Sequence, residues 1–180
     1  MITPSQVAAW DGILARPEYC RMVERRHVAH QATANYLFTS GKPNRYNPRG
    51  IEALYCSEDQ ATAGAEADRY RNGATKQGVI FWIHPRAFVL DLGNPVTVDA
   101  LELQNELYAP WRFALSPTKT QILGGAIAGQ TRLGGIRFPS DAAREKGFVG
   151  YNLVLFKRSI AAPHWVMIKD DTGGELQRWP

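Results

Sequence analysis

Apolar residues recur at helical spacing near the N-terminus. Val7, Trp10, Ile13 and Leu14 fall at i, i+3, i+6 and i+7 within residues 5–16, and Pro17 follows. That period predicts an amphipathic helix closed by the proline. Residues 31–39 read as a second short helix. The pattern then lapses: residues 40–51, SGKPNRYNPRGI, are dense in Gly, Pro, Asn and Ser and predict a loop. Connecting segments of this kind, rich in Arg and Gly, are where ligand contacts concentrate. Ala53-Leu54-Tyr55-Cys56 reads as a short strand, with Ser57 as the N-cap of the next helix and Gln60 as its capping-box partner. That helix runs through about Tyr70 and closes at Asn72-Gly73. Residues 78–84 and 87–92, rich in β-branched and aromatic side chains, predict two strands broken at Pro85. Helices are predicted over 97–106 and 118–131, and strands over Gly135–Phe138, Gly150–Phe156 and Trp165–Lys169. The order is mixed rather than alternating. It therefore predicts an α+β fold with mostly antiparallel sheets, and argues against a doubly wound parallel one.

Composition adds limits to this picture. A chain of 180 residues, 44% of them apolar, suits one compact domain over 1–180 with a true core. The net charge of +4 and pI near 9.2 are mildly basic. The basic residues are scattered (Arg21, Arg25, Arg26, Arg45, Arg49, Arg69, Arg71, Lys157, Arg158) and form no arm of the kind that grips nucleic acid. A soluble surface with some positive bias is the favoured reading, and a few arginines serving a phosphate-bearing ligand or an acidic partner is the second. The two cysteines, Cys20 and Cys56, lie in no C-x-x-C and no zinc spacing. The start of the sequence lacks the basic-then-apolar pattern of a signal peptide, and no apolar run reaches spanning length. A cytoplasmic protein with reduced thiols is the expectation.

Several chemistries are absent by motif. The chain has no phosphate loop of the G-x-x-x-x-G-K-[ST] type, no G-x-G-x-x-G, no G-x-S-x-G and no H-E-x-x-H. Gly124-Gly125 and Gly134-Gly135 are too plain to cradle phosphate. His27 and His30 are three apart, but surface histidines beside Arg25 and Arg26 explain them better than a metal pair does, and no metal is expected. His84, before Pro85, reads as structural, and His164 carries no signal of its own.

The stretch from Arg45 to Glu66 is more informative. Arg45 lies in the Gly/Pro loop, Tyr55 at the end of the strand that follows, and Glu66 on the next helix. There Ala63, Glu66, Ala67 and Tyr70 share one face. A carboxylate on a stripe of small residues is drawn close to a sheet and partly buried, so it needs partners. Each residue also has a plain reading: Glu66 paired with Arg69 one turn on, Arg45 in water, Tyr55 in the core. Ser140, after Pro139 at a strand end, is by itself a turn or N-cap residue.

Taken together, these pieces resemble a known family. Asn44-Arg45-Tyr46-Asn47-Pro48-Arg49-Gly50, then Leu54-Tyr55-Cys56-Ser57-Glu58, then Ala61 to Glu66 are similar to the loop, strand and helix of the RES domain, which is named for Arg, Glu and Ser. Gly135-Ile-Arg-Phe-Pro-Ser140 and Gly150-Tyr-Asn-Leu-Val-Leu-Phe156 resemble that family's closing segments. The likeness covers about Arg21 to Phe156. It departs at Pro43-Asn44, where Gly-Gly is usual, and at Tyr46, where Trp is frequent. The helix over 5–16 lies outside it.

The resemblance implies a toxin of a bacterial type II toxin–antitoxin pair, partnered by an antitoxin with an Xre-like helix-turn-helix. It implies an ADP-ribosyltransferase-like fold of two packed, mostly antiparallel sheets with flanking helices. It also implies NAD as substrate, spent by hydrolysis or phosphorolysis or by ADP-ribosylation of a host protein. Arg45, Tyr55, Glu66 and Ser140 map onto the family's functional positions. Splitting the nicotinamide–ribose bond creates an oxocarbenium-like ribose, which negative charge and firm positioning favour. Glu66 would meet that cation and Arg45 a pyrophosphate. Tyr55 would stack on nicotinamide, and Ser140 would bond the nicotinamide amide or the ribose. A non-catalytic binding module of the same fold is the alternative from another class. Neither membrane nor direct nucleic-acid contact is expected.

Overall fold

A computed structural model describes residues 2, 7, 10–28, 34–69, 78–112 and 114–180. The strands are β1 (Ile13–Leu14), β2 (Tyr19–Glu24), β3 (Ala53–Ser57), β4 (Gly78–Arg86), β5 (Phe88–Asp91), β6 (Gly135–Pro139), β7 (Tyr151–Phe156), β8 (Trp165–Lys169) and β9 (Glu175–Trp179). The helices are α1 (Arg25–Val28), α2 (Gln60–Arg69), α3 (Pro95–Ala100), α4 (Lys119–Ala128) and α5 (Asp141–Glu145). The class is α+β, as the mixed order of elements predicts. Among the described residues the strands form one nine-stranded sheet, ordered β1-β5-β6-β7-β3-β2-β4-β8-β9, and not two sheets. All pairings are antiparallel except β5 with β6.

The single sheet still divides the core in two. Along β7, Val154 and Phe156 enter one apolar cluster with Leu123, Ile127 and Ile136. Leu153 and Leu155 enter another with Tyr19, Leu54, Phe81 and Ile83. Successive side chains of a strand point to opposite faces, so the unbroken apolar run Leu153–Phe156 is covered on both sides. Helix α4 and β7 share the first cluster.

Several expectations are corrected. Residues 11–16 are not helical: Ile13 and Leu14 pair with Val89 and Phe88 as an edge strand, while residues 5, 6, 8 and 9 lie outside the described residues. Backbone pairing to a waiting strand outweighs a four-residue apolar period. In 31–39, residues 31–33 lie outside the described residues and Ala34–Leu37 form a single 3-10 turn. Pro85 does not break the strand; it pairs with Val166 inside β4. The β2 pairing has already ended at Ile83, so on that side the missing proline N–H has no neighbour to serve. The helix predicted over 97–106 starts earlier and stops at Ala100, just before Glu102 with its left-handed φ of 53°. The polar stretch Ser140–Gly147, which by composition reads as a loop, contains α5 over Asp141–Glu145. Tyr70, Asn72-Gly73, His30 and the side chain of His27 lie outside the described residues.

Cys20 and Cys56 are free and buried. Burial pushes the Cys20 thiol up to about 12, helped by the charges of Asp59 and Glu18, and pushes Cys56 up as well. The thiolate is the reactive form. Ellman's reagent at pH 8 should therefore titrate neither thiol in the native protein and both after unfolding. Rapid native reaction would contradict the described packing.

Candidate functional site

The loop carrying Arg45 is built before any ligand arrives. Buried Asn47 donates to the carbonyls of Lys42 (2.7 Å) and Ile51 (2.9 Å), which closes the loop on itself. The N-terminus of α4, capped by Thr118 and Gln121, grips it from outside. Thr120 Oγ1 donates to the Arg45 carbonyl (2.8 Å) and Gln121 Nε2 to the Asn44 carbonyl (2.9 Å). Asn44 Oδ1 in turn accepts from the Arg45 N–H (2.8 Å). The guanidinium of Arg45 donates through Nη1 to the carbonyls of Leu107 and Ala109, and so fastens the segment that forms the far rim.

Strand alternation places the next group. Tyr55 and Ser57 are two apart on β3, and their partners across to β7 are Val154 and Asn152. Phe138 on β6 pairs with Asn152. These side chains share one face of the sheet. The Tyr55 hydroxyl accepts from the Tyr46 N–H (3.0 Å) and donates to Asn47 Oδ1 (2.9 Å), which ties the strand to the loop.

Helix α2 brings Glu66. Its N-cap is Asp59, whose carboxylate accepts from the Thr62 N–H at 2.7 Å. The expected cap, Ser57, is instead still in β3 and bonds Asn152. Ala63, Glu66 and Ala67 do face one way, into a cavity, as their spacing predicts. Glu66 is not paired with Arg69. Its Oε1 accepts from Ser140 Oγ (2.8 Å) and from Asn152 Nδ2 (2.7 Å). Ser140 is the N-cap of α5 and accepts from the Ala143 N–H at 3.1 Å. It is 2% exposed and stands behind Glu66 rather than on the cavity wall.

Arg69 joins the two helices. It contacts Asp141 (2.6 Å) and Glu145 (2.7 Å), while Arg144 also contacts Asp141 (2.7 Å). Burial alone would raise the Asp141 carboxyl, but hydrogen bonds from Arg144 and Arg69 outweigh it and hold the group below its ordinary 3.8. A carboxyl depressed on folding stabilises fully above its unfolded value, and that contribution fades as pH falls through the lower folded value. The melting-temperature gap between wild type and Asp141→Asn should therefore be widest above about pH 5 and shrink toward pH 3. A gap independent of pH would refute the clamp.

The cavity measures about 510 Å³, within the usual range for ligand pockets. Arg45, Tyr55 and Glu66 line it together with Arg21, Ser57, Phe138 and Asn152, and Tyr108, Pro110, Trp111 and Arg112 form its rim. Its lining includes four arginines (Arg21, Arg45, Arg69, Arg112) and two acidic residues (Glu66, Asp141), a setting for an anionic ligand. Among the described residues no His/Cys/Asp/Glu cluster is arranged to hold a metal, and no helix is long and apolar enough to cross a membrane. Sequence reasoning missed Asn152 and the aromatic rim. Asn152 interrupts an otherwise apolar run in β7, and that interruption was the available signal.

The same architecture occurs in a solved structure, the M. tuberculosis MbcT–MbcA toxin–antitoxin complex. The match has a TM-score of 0.63 at 19% identity and covers 93% of this chain and 90% of that one, which establishes the shared fold. No curated protein sequence matches the chain. The family comparison reaches further, since the RES domain pattern aligns with residues 18–173 and takes in the Arg45 loop, Glu66 and Ser140. On that match the chain belongs to the RES domain family.

Proposed function

We propose that this protein is the toxin of a type II toxin–antitoxin pair and that its cavity binds NAD and splits the nicotinamide–ribose bond. One observation carries the reading: a helix carboxylate whose Oε1 takes two donors lines a cavity that four arginines also line. Such a cavity suits a ligand with an anionic pyrophosphate and a reacting centre that becomes positive.

In this reading the C1′–N bond breaks and its electron pair leaves with the pyridine nitrogen. The ribose is left as an oxocarbenium ion. Glu66 Oε2 accepts a ribose hydroxyl and opposes the developing charge. Arg45 keeps Nη1 on the Leu107 and Ala109 carbonyls and offers the rest of its fork to the pyrophosphate. Tyr55 presents its ring to nicotinamide, since its hydroxyl is committed to Tyr46 and Asn47. Ser140 supports Glu66 rather than meeting the ligand. The acceptor closes a new bond at C1′ and loses a proton; water, inorganic phosphate and a side chain of a host protein all meet that requirement. The MbcT–MbcA complex supports an antitoxin partner here, and an Xre-like one fits the family resemblance, with both acting in the cytoplasm.

The test is to incubate purified protein with NAD and follow nicotinamide release in buffer, with phosphate and in cell extract. Release without labelled protein supports NAD consumption, and a radiolabelled band supports ADP-ribosyl transfer. No release in any condition would overturn the reading in favour of a binding module.

A further inference from the structure

The hydrogen bonds around Glu66 leave no choice of direction. A carboxylate only accepts. Ser140 Oγ, 2.8 Å away, must therefore donate its one proton to Glu66, and its lone pair takes the Ala143 N–H. The group of Asn152 that lies 2.7 Å from the same Glu66 oxygen must likewise be its NH₂. The carbonyl end of that amide then points away from Glu66, to Ser57 Oγ at 2.7 Å. Since a carbonyl accepts, Ser57 must donate. Two arms of fixed polarity thus converge on Oε1, one from Ser57 through Asn152 and one from Ser140 directly, while Oε2 has no partner among the described residues.

We propose that Ser57, acting through Asn152, is a positioning residue that fixes the orientation in which the Glu66 carboxylate meets the ligand. An asparagine side chain is nearly symmetric in shape, so its two orientations differ chiefly in their hydrogen bonds. Ser57 anchors the carbonyl end. Without it, the amide is held at one end only, and Glu66 loses the second constraint on its rotamer. Ser57 and Asn152 are 4% and 6% exposed, so the bond between them is held by packing as well as by their polar groups. The effect falls on rate rather than on binding, because a misplaced carboxylate is felt most where charge develops. This inference rests on the NAD-cleaving reading for its kinetic arm and stands apart from it for its spectroscopic arm.

The experiment compares wild type with Ser57→Ala, Ser57→Thr and Asn152→Ala. Nicotinamide release is measured against NAD concentration, and the side-chain amide of Asn152 is followed by ¹⁵N NMR without substrate. Asn152→Ala should lower kcat by about 100-fold and Ser57→Ala by about 10-fold, each with KM changed less than about threefold. Ser57→Thr, which keeps the hydroxyl, should restore most of the loss. In the NMR arm, Ser57→Ala and Glu66→Gln should both displace the Asn152 amide pair. If wild type cleaves NAD and Ser57→Ala keeps full kcat, the positioning role is overturned. A change confined to KM would overturn it as well. If wild type leaves NAD intact while the amide pair responds as stated, the functional reading fails and the relay stands. Should Asn152→Ala not fold, Ser57→Ala carries both arms alone.

Discussion

Glu66→Gln should lower NAD turnover by about 10² to 10³-fold with no loss of folding, the scale seen when one transition-state stabiliser is removed. The substitution is unusually clean here. A glutamine carbonyl accepts the same two donors, Ser140 Oγ and Asn152 Nδ2, that hold Oε1 in place. The side chain then keeps its position, but its other terminal atom becomes an NH₂ donor with no charge. Chemistry inverts while geometry holds. Nicotinamide release and a melting curve on one sample separate the two effects, and growth of cells expressing the variant gives the same answer in vivo. Full turnover by Glu66→Gln would remove Glu66 from the reaction.

The second large effect concerns a residue without a side chain. A Cβ on Gly124 would lie 1.6 Å from the carbonyl oxygen of Tyr46 and 3.0 Å from the Phe156 ring. The obstacle is backbone, so no rotamer change relieves it, and α4 must move off the loop that it grips. Gly124→Ala should cost about 3 kcal/mol or more, the upper end for overpacking. It should also weaken NAD turnover, because the Thr120–Arg45 and Gln121–Asn44 bonds break with the same movement. Gly125 is the control. There the nearest atom to a new Cβ is Pro48 Cγ at 3.4 Å, an ordinary contact. Alanine there should be neutral or stabilising, by up to about 1 kcal/mol, because glycine is the weaker helix former. Urea titration of the pair decides it: equal midpoints for the two variants would contradict the close seating of α4 on the loop.

These residues also show what a sequence can and cannot reveal. The succession of loop, strand and helix from Arg45 to Glu66 was legible because turn chemistry, β propensity and helical period are local properties. So was the face shared by Ala63, Glu66 and Ala67. The bounds of Trp165–Lys169 come out as predicted, since an apolar strand bounded by polar turns leaves little choice. What stayed hidden depends on partners far along the chain. Pro85 lies within a strand because β2 ends before reaching it. Ile13 and Leu14 are strand because β5 offers an edge. Ser140 turned out to serve Glu66, and Tyr55 to spend its hydroxyl on the loop, because each found a donor or acceptor in three dimensions that no spacing encodes. One sheet rather than two follows from the pairing of β2 with both β3 and β4, a fact about register between distant segments.

Distance along the chain has a further meaning while the protein is being made. Glu66 leaves the ribosome well before the two groups that hold it, Ser140 and Asn152, which follow 74 and 86 residues later. At 5–20 residues per second, roughly 4 to 17 s separate the carboxylate from the last of its supports. Through that interval Arg45, Tyr55 and Glu66 all exist but face no cavity. A nascent chain therefore carries the first residues of the cavity for seconds before the groups that hold Glu66 exist, and any cleavage of the kind proposed above waits on the arrival of β7.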